Sequence, residues 1–330
     1  MRQFAWGFAP PYILASALDL GLFKHVAEGK TTASALAAAT GASRRGLDML
    51  LNMMTNFGFL ARNGSGDAAT YSLTPESDAF LVAGRPAYLG GIVQFNAKRM
   101  HRTWSQLTEC IKSGQPAVAV DMPEEGTPFW AELVDNLFPM NYPNALRMHQ
   151  ELRRLYPTGV IRLLDVAAGS GVWGIAPAQQ DPYVQVVAFD LPETLEITRR
   201  NADRMGVIDR FAFRPGNVRD GALGEQEFDA VILGHICHSE GAGHTQRLLA
   251  STARALNPGG TVVIADMVPD DDRSGPTYPL LFALNMLVHT SEGDTFTLAE
   301  YEVWLRDAGF TDVRPLEGTQ PSPLILATKP

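Results

Sequence analysis

Cysteine is nearly absent. Cys110 and Cys237 are the two in 330 residues, too few for a disulfide framework. That scarcity fits a reducing compartment, and a cytoplasmic chain is expected. Basic residues are outnumbered, 27 Lys and Arg against 36 Asp and Glu, and the net charge of −9 argues against a polyanion as the main partner. No apolar run reaches transmembrane length, and no basic N-terminal region leads into an apolar stretch. Neither a membrane span nor a secretory signal is therefore expected. Internal repeats and low-complexity tracts are missing too. What remains is 45% hydrophobic and 19% charged, an ordinary globular balance over a length that suits one large domain or two of usual size.

The most informative stretch runs from Ile161 to Leu191. Ile161 to Val166 is a short apolar run with Asp165 near its end. Gly169 and Gly171 then permit a sharp turn and a close approach of backbone to ligand. A helix is expected over Val172 to Gln180, short or bent because of Pro177. Val184 to Phe189 is a second β-branched run, and Asp190 closes it about 20 residues after the glycines, where an acid would meet ribose hydroxyls. Gly169, Gly171 and Gly174 also spell the dinucleotide fingerprint, but the turn lies midway along the chain.

Before this stretch the pattern is helical. Phe8 to Phe23 carries apolar residues at helical spacing, Thr31-Thr32 starts an alanine-rich helix, and Ser43 caps a helix over Arg44 to Phe57. Phe59 to Arg62 and Ala69 to Leu73 read as strands around a polar turn, which completes a winged helix. Its recognition helix has Arg44 and Arg45 only at the start and is then mostly Leu, Met, Asn and Phe, poor equipment for a DNA groove. Burial against a second subunit explains that surface better. Residues 86–156 read as a helical linker, with stretches near Tyr88 to Ser113, Thr127 to Phe138 and Asn144 to Tyr156.

After Asp190 strand and helix alternate, as in a doubly wound parallel sheet. Strands are expected at Arg210 to Arg214, Phe228 to Leu233 and Thr261 to Ala265, with a closing pair at Val313 to Leu316 and Pro323 to Thr328. Helices are expected at Pro192 to Met205, Thr245 to Leu256, Tyr278 to His289 and Leu298 to Ala308. The predicted fold class is α/β: a Rossmann-like doubly wound parallel sheet with a closing antiparallel strand pair, preceded by an α-rich winged-helix domain. Three segments follow, 1–85, 86–156 and 157–330.

Ligands in such sheets bind beyond the carboxyl ends of the strands. The residues there are Asp165 with Gly169 and Gly171, Asp190 with Leu191, Asn217 with Val218, Gly234, the His235/His238 segment and Asp266. His238 is the candidate base, since imidazole titrates nearer working pH than any other ordinary side chain. Asp266 is the candidate carboxylate that orients it.

The order of these motifs resembles the class I S-adenosylmethionine-dependent methyltransferases, and the whole chain resembles the small-molecule O-methyltransferases with an N-terminal winged-helix dimerisation domain. Leu163 to Gly171 is similar to the first cofactor motif, Asp190-Leu191 to the ribose-binding strand end, and Gly216-Asn217-Val218 to the adenine side. Asn257-Pro258-Gly259-Gly260 resembles the turn before the fifth strand, and Thr297 to Phe310 the late helix ending in Gly-Phe. The resemblance implies S-adenosylmethionine as cofactor, His238 as catalytic base and Asp266 beside it. It also implies a homodimer through 1–85, a pocket contribution from 86–156 and a small-molecule substrate, with no nucleic acid, membrane or metal. Three positions depart from the family: Ser239 stands where an Asp is common, Asp294-Thr295 where a flanking Glu is expected, and Asn217 where an Asp is usual.

The leading expectation is O-methylation of a hydroxylated aromatic or polyketide-like molecule. A competing one is metal-dependent C-methylation of an α-keto acid, with His238, His289 and Asp266 around the metal. A third is a ligand-responsive regulator built on the winged helix.

Overall fold

The computed structural model describes residues 1–120, 123–221, 223–319 and 322–330, without the side chains of 123–125, 127, 128 and 131. The chain divides into two compact units, Met1–Arg102 and Thr103–Pro330. The segment read as a linker is thus shared between them, 86–102 with the first and 103–156 with the second.

In the first unit, helices Ala9–Asp19, Leu22–Ala27, Ala33–Thr40 and Arg44–Asn56 precede a hairpin of β1 (Leu60–Asn63) and β2 (Thr70–Leu73). Thr32 and Ser43 cap their helices as expected, each hydroxyl accepting a backbone N–H that the helix start leaves unpaired. Leu22, Phe23, Leu36, Leu47, Leu51 and Met54 form the core. Large apolar side chains remain outside it: Phe4 is 86% exposed, Trp6 68% and Phe8 55%.

The second unit is built on seven strands. These are β3 (Ile161–Val166), β4 (Val184–Asp190), β5 (Phe211–Pro215), β6 (Phe228–Gly234), β7 (Leu256–Ala265), β8 (Thr311–Leu316) and β9 (Leu324–Thr328). Their order is β5-β4-β3-β6-β7-β9-β8, with β5 to β7 parallel and the β9 and β8 pairings antiparallel. Both faces of the parallel strands are covered, which is why they read as continuous apolar runs. Leu163, Val186, Ala230 and Val263 face one core, while Leu164, Val231, Val262 and Ile264 face the other. The chain leaves β3 for β4 on one side and returns to β6 on the other. That reversal opens a crevice at the carboxyl ends of β3 and β6. Among the described residues, no helix is long and apolar enough to cross a membrane.

Two local expectations are corrected. A single helix, Pro123–Leu155, replaces the two segments read from Thr127 and Asn144 and carries Pro139 and Pro143 within it. Each proline removes a helix donor. The buried face of Phe138, Ala145, Met148 and Leu152 against the sheet offsets that loss. The short helix expected over Val172–Gln180 forms there, 9 residues long, with the buried Pro177 inside it. Finally, the helix after β6 begins at Cys237 and breaks at Gly241 (φ 74°, ψ 166°), so His238 sits on a helical turn rather than at the strand end itself.

Candidate active site

The glycine turn after β3 is held by its own carboxylates. Gly169 and Gly171 have positive φ, 56° and 78°, and a Cβ at Gly171 would lie 2.7 Å from Cγ2 of Thr198. Asp190 Oδ2 accepts from Gly169 N at 2.8 Å and Oδ1 from Leu191 N at 2.7 Å. Burial outweighs these bonds and pushes the carboxyl up to about 6. Asp165 lies deeper: Oδ2 accepts from Gly174 N at 3.0 Å, while Oδ1 is buried with no partner among the described residues. Burial, reinforced by Asp190, drives its pKa well above the carboxylate range. Asp165 therefore braces the turn from beneath, through Gly174 N. Thr198 donates to Gly169 O at 2.8 Å and Asn201 to Ser170 O at 3.0 Å, two supports from the next helix that sequence patterning did not single out. The Gly171→Ala protein is expected to lose about 1–3 kcal/mol through strain and the Thr198 clash, read as a lower Tm.

Leu191 follows Asp190 and is half-buried. Asn217 is exposed, and its Oδ1 accepts from Arg219 N at 2.9 Å, capping the short turn that begins at Val218. Gly234 ends β6 under the indole of Trp173, and a Cβ there would fall 2.3 Å from Nε1. The glycine is thus required by packing.

At the ends of β6 and β7 the structure brings His238 and Asp266 together. His238 Nδ1 is 2.5 Å from Asp266 Oδ1, and both side chains are buried. Asp266 is further bonded by His238 N at 3.1 Å, Met267 N at 2.8 Å and the Tyr301 hydroxyl at 2.6 Å. Burial alone would raise this carboxyl, but His238 and its hydrogen bonds prevail and hold it below the usual carboxylate range. A permanently charged acceptor at Nδ1 fixes the tautomer with its proton there and leaves Nε2 as the basic atom. The Phe282 ring meets the imidazole edge-on, 4.9 Å between centroids.

His235 takes another role. Its backbone is left-handed (φ 61°), its Nε2 lies 3.2 Å from Asn141 Oδ1, and its Nδ1 is buried without a partner among the described residues. Burial lowers its pKa to about 4, with the neighbouring His238 adding to the effect, so the ring is neutral at physiological pH. His289 does not join His238: Nε2 is 2.7 Å from the Thr103 hydroxyl and Nδ1 is 2.9 Å from Asn285 O, so both ring nitrogens are already engaged. That corrects the expected three-residue metal set. A nitrogen from each of His235 and His238 and an oxygen of Asp266 do lie within 4.8 Å of one another. Both Asp266 oxygens are already filled by hydrogen-bond donors, which accounts for the spacing.

Comparison with known proteins shows the family. Residues 104–311 match the O-methyltransferase domain model and 3–83 the O-methyltransferase dimerisation domain model. The 3-hydroxy-5-methyl-1-naphthoate 3-O-methyltransferase of Streptomyces sahachiroi is 31% identical, over 97% of this chain and 92% of that protein. The tetracenomycin polyketide synthesis 8-O-methyltransferase of Streptomyces glaucescens is 30% identical, over 99% and 96%. The crystal structure of human N-acetylserotonin methyltransferase with SAM superposes with a TM-score of 0.84 over 99% of this chain and 96% of that one; at 24% identity this likeness concerns the fold.

Proposed function

Given that this chain belongs to the O-methyltransferase family, we propose that it methylates a hydroxyl of an aromatic or polyketide-derived small molecule, with His238 as general base. The observation that carries the reading is the buried His238–Asp266 pair, which leaves Nε2 as the basic atom beside the crevice. Nε2 takes the acceptor's hydroxyl proton, and Asp266 stabilises the imidazolium through Nδ1–H. Phe282 beside the imidazole, with Tyr278 6.0 Å from it between centroids, favours a planar aromatic acceptor.

S-adenosylmethionine, the methyl donor of this family, supplies an electrophilic methyl group when bound. The residues present fit it: a glycine turn with no room for a Cβ at Gly171, and a half-buried carboxylate, Asp190, able to accept from ribose hydroxyls. Asp165, Gly169, Gly171, Asp190, Leu191, Asn217, Val218 and Gly234 would line that side. Residues 157–330 then bind cofactor, and the part of the expected linker that belongs to the second unit, 103–156, would contribute to the substrate pocket; Asn141, bonded to His235, is the residue that supports this.

The test is a panel of hydroxynaphthoates and polycyclic phenols with labelled methyl donor. Label on phenolic oxygen is expected. Transfer solely to the carbon of an α-keto acid, abolished by a chelator, would establish the metal-dependent alternative instead. Turnover is otherwise expected to survive dialysis against a strong chelator unchanged.

The same reading makes the chain a homodimer through residues 1–85, and the match of 3–83 to a dimerisation domain supports it. Phe8 and Tyr12, 55% and 40% exposed, are the apolar side chains that association would cover. Light scattering is expected to give twice the chain mass at micromolar concentration. A stable monomer would remove this part of the reading.

A further inference from the structure

Among the described residues, Asp266 is the carboxylate that bonds the base. The positions where the family has its other flanking carboxylates hold Ser239 and Asp294-Thr295. Ser239 turns its hydroxyl to Ile236 O at 2.8 Å, and Thr295 gives its own to Pro279 O at 3.3 Å. Asp294 meets His238 through its backbone, N to O at 2.9 Å, while its Oδ1 accepts from Thr295 N. Among the described residues, then, what holds Asp266 decides how well the imidazole is aimed.

Two of its donors, His238 N and Met267 N, are local backbone. The third comes from a separate element. Tyr301 lies on the helix Leu298–Asp307, whose start is locked by a capping box between Thr297 and Glu300. One turn on, the tyrosine is fully buried, its ring set edge-on to Phe296 and Trp304 at 6.0 and 5.7 Å. Its hydroxyl donates to Asp266 Oδ2 at 2.6 Å, near the buried Cys237 thiol. Burial raises both groups well above their ordinary pKa values, so Tyr301 stays a donor across the working range.

We propose that Tyr301 is a positioning residue for the base. It pins the outer oxygen of Asp266 so that the inner one stays in line with His238 Nδ1, the restraint that a second carboxylate would otherwise supply. This rests on the reading of His238 as base. Without Tyr301, Oδ2 keeps, among the described residues, only the longer bond from His238 N at 3.1 Å; a carboxylate held that loosely can rotate or recruit another donor, and the Nδ1 bond then weakens. Tyr301 touches neither acceptor nor cofactor in this account, so its effect must pass through His238.

The experiment is a double-mutant cycle of Y301F and H238A on a weakly acidic phenol. Y301F alone is expected to lower kcat about tenfold, the rate equivalent of one hydrogen bond to a charged group. Cofactor affinity and acceptor KM should stay within about twofold, and the loss should shrink for acceptors already ionised at assay pH. In the H238A background Y301F should cost nothing further. A loss that multiplies in that background shows a structural role and overturns the proposal, as does wild-type kcat in Y301F. If H238A itself keeps full turnover, the base reading fails first and this inference with it; if H238A is impaired and Y301F is not, only this inference fails. Should Y301F not fold, 4-methylphenylalanine at 301 keeps the volume without a donor. 4-Aminophenylalanine restores a donor there and should restore kcat.

Discussion

His238→Ala is expected to lower turnover by about 10²–10⁴, the usual worth of a positioned general base, with cofactor binding intact. The fold should survive for a specific reason. Without the imidazole, Asp266 keeps three donors, from Met267 N, the residue 238 N–H and Tyr301. It loses the imidazole donor, and burial, the largest influence on it, then pushes the carboxyl up. The three remaining donors limit the cost of leaving this buried carboxyl without its imidazole partner. Acceptors ionised at assay pH should lose much less, since no proton need be removed. His235→Ala is the control for damage at this strand end: its ring is neutral, with Nε2 engaged by Asn141, and offers no comparable base. Near-wild-type turnover of His238→Ala on a weakly acidic phenol would show that proximity alone drives transfer, and the base role would be withdrawn.

The sequence was most legible where geometry is written in single residues. A positive-φ turn demands glycine, so Gly169 and Gly171 mark it; strands covered on both faces read as apolar runs, so β3 to β7 emerge within a residue or two, apart from the start of β7. The meeting of His238 with Asp266 was legible because strand ends converge in any parallel sheet. What escaped was set by packing across long sequence separations. Nothing near Tyr301 announces that its hydroxyl reaches Asp266, 35 residues earlier. His289 looked available for a metal, but Thr103, 186 residues away, takes one nitrogen and its own helix the other. The prolines of Pro123–Leu155 argue locally against one continuous helix, and only its buried face overrules them.

Asp190→Ala is expected to weaken cofactor binding by about 1–3 kcal/mol, or roughly 5- to 150-fold, the range for leaving buried donors unpaired. Two effects combine. The carboxylate is the acceptor offered to ribose hydroxyls, and it also ties Gly169 N to Leu191 N, so its loss slackens the turn. The pH dependence separates this role from a merely structural one. In the ligand-free protein burial raises the Asp190 carboxyl to about 6, from an ordinary value of 3.8. A raised folded pKa means that this group's stabilising contribution is complete below the unfolded value and is lost as pH rises through about 6. Hydroxyl donors favour the ionised form, so binding runs the other way. Affinity should be constant above about pH 6 and fall below it as the carboxyl takes a proton that the ligand must displace. Calorimetry with the demethylated cofactor product from pH 5 to 8 reads this directly. The wild-type affinity should drop on the acid side and the Asp190→Ala affinity should lose that limb, the two curves converging toward low pH. Parallel curves, or equal affinities at pH 7.5, would place the ribose elsewhere and leave Asp190 as a brace for the glycine turn.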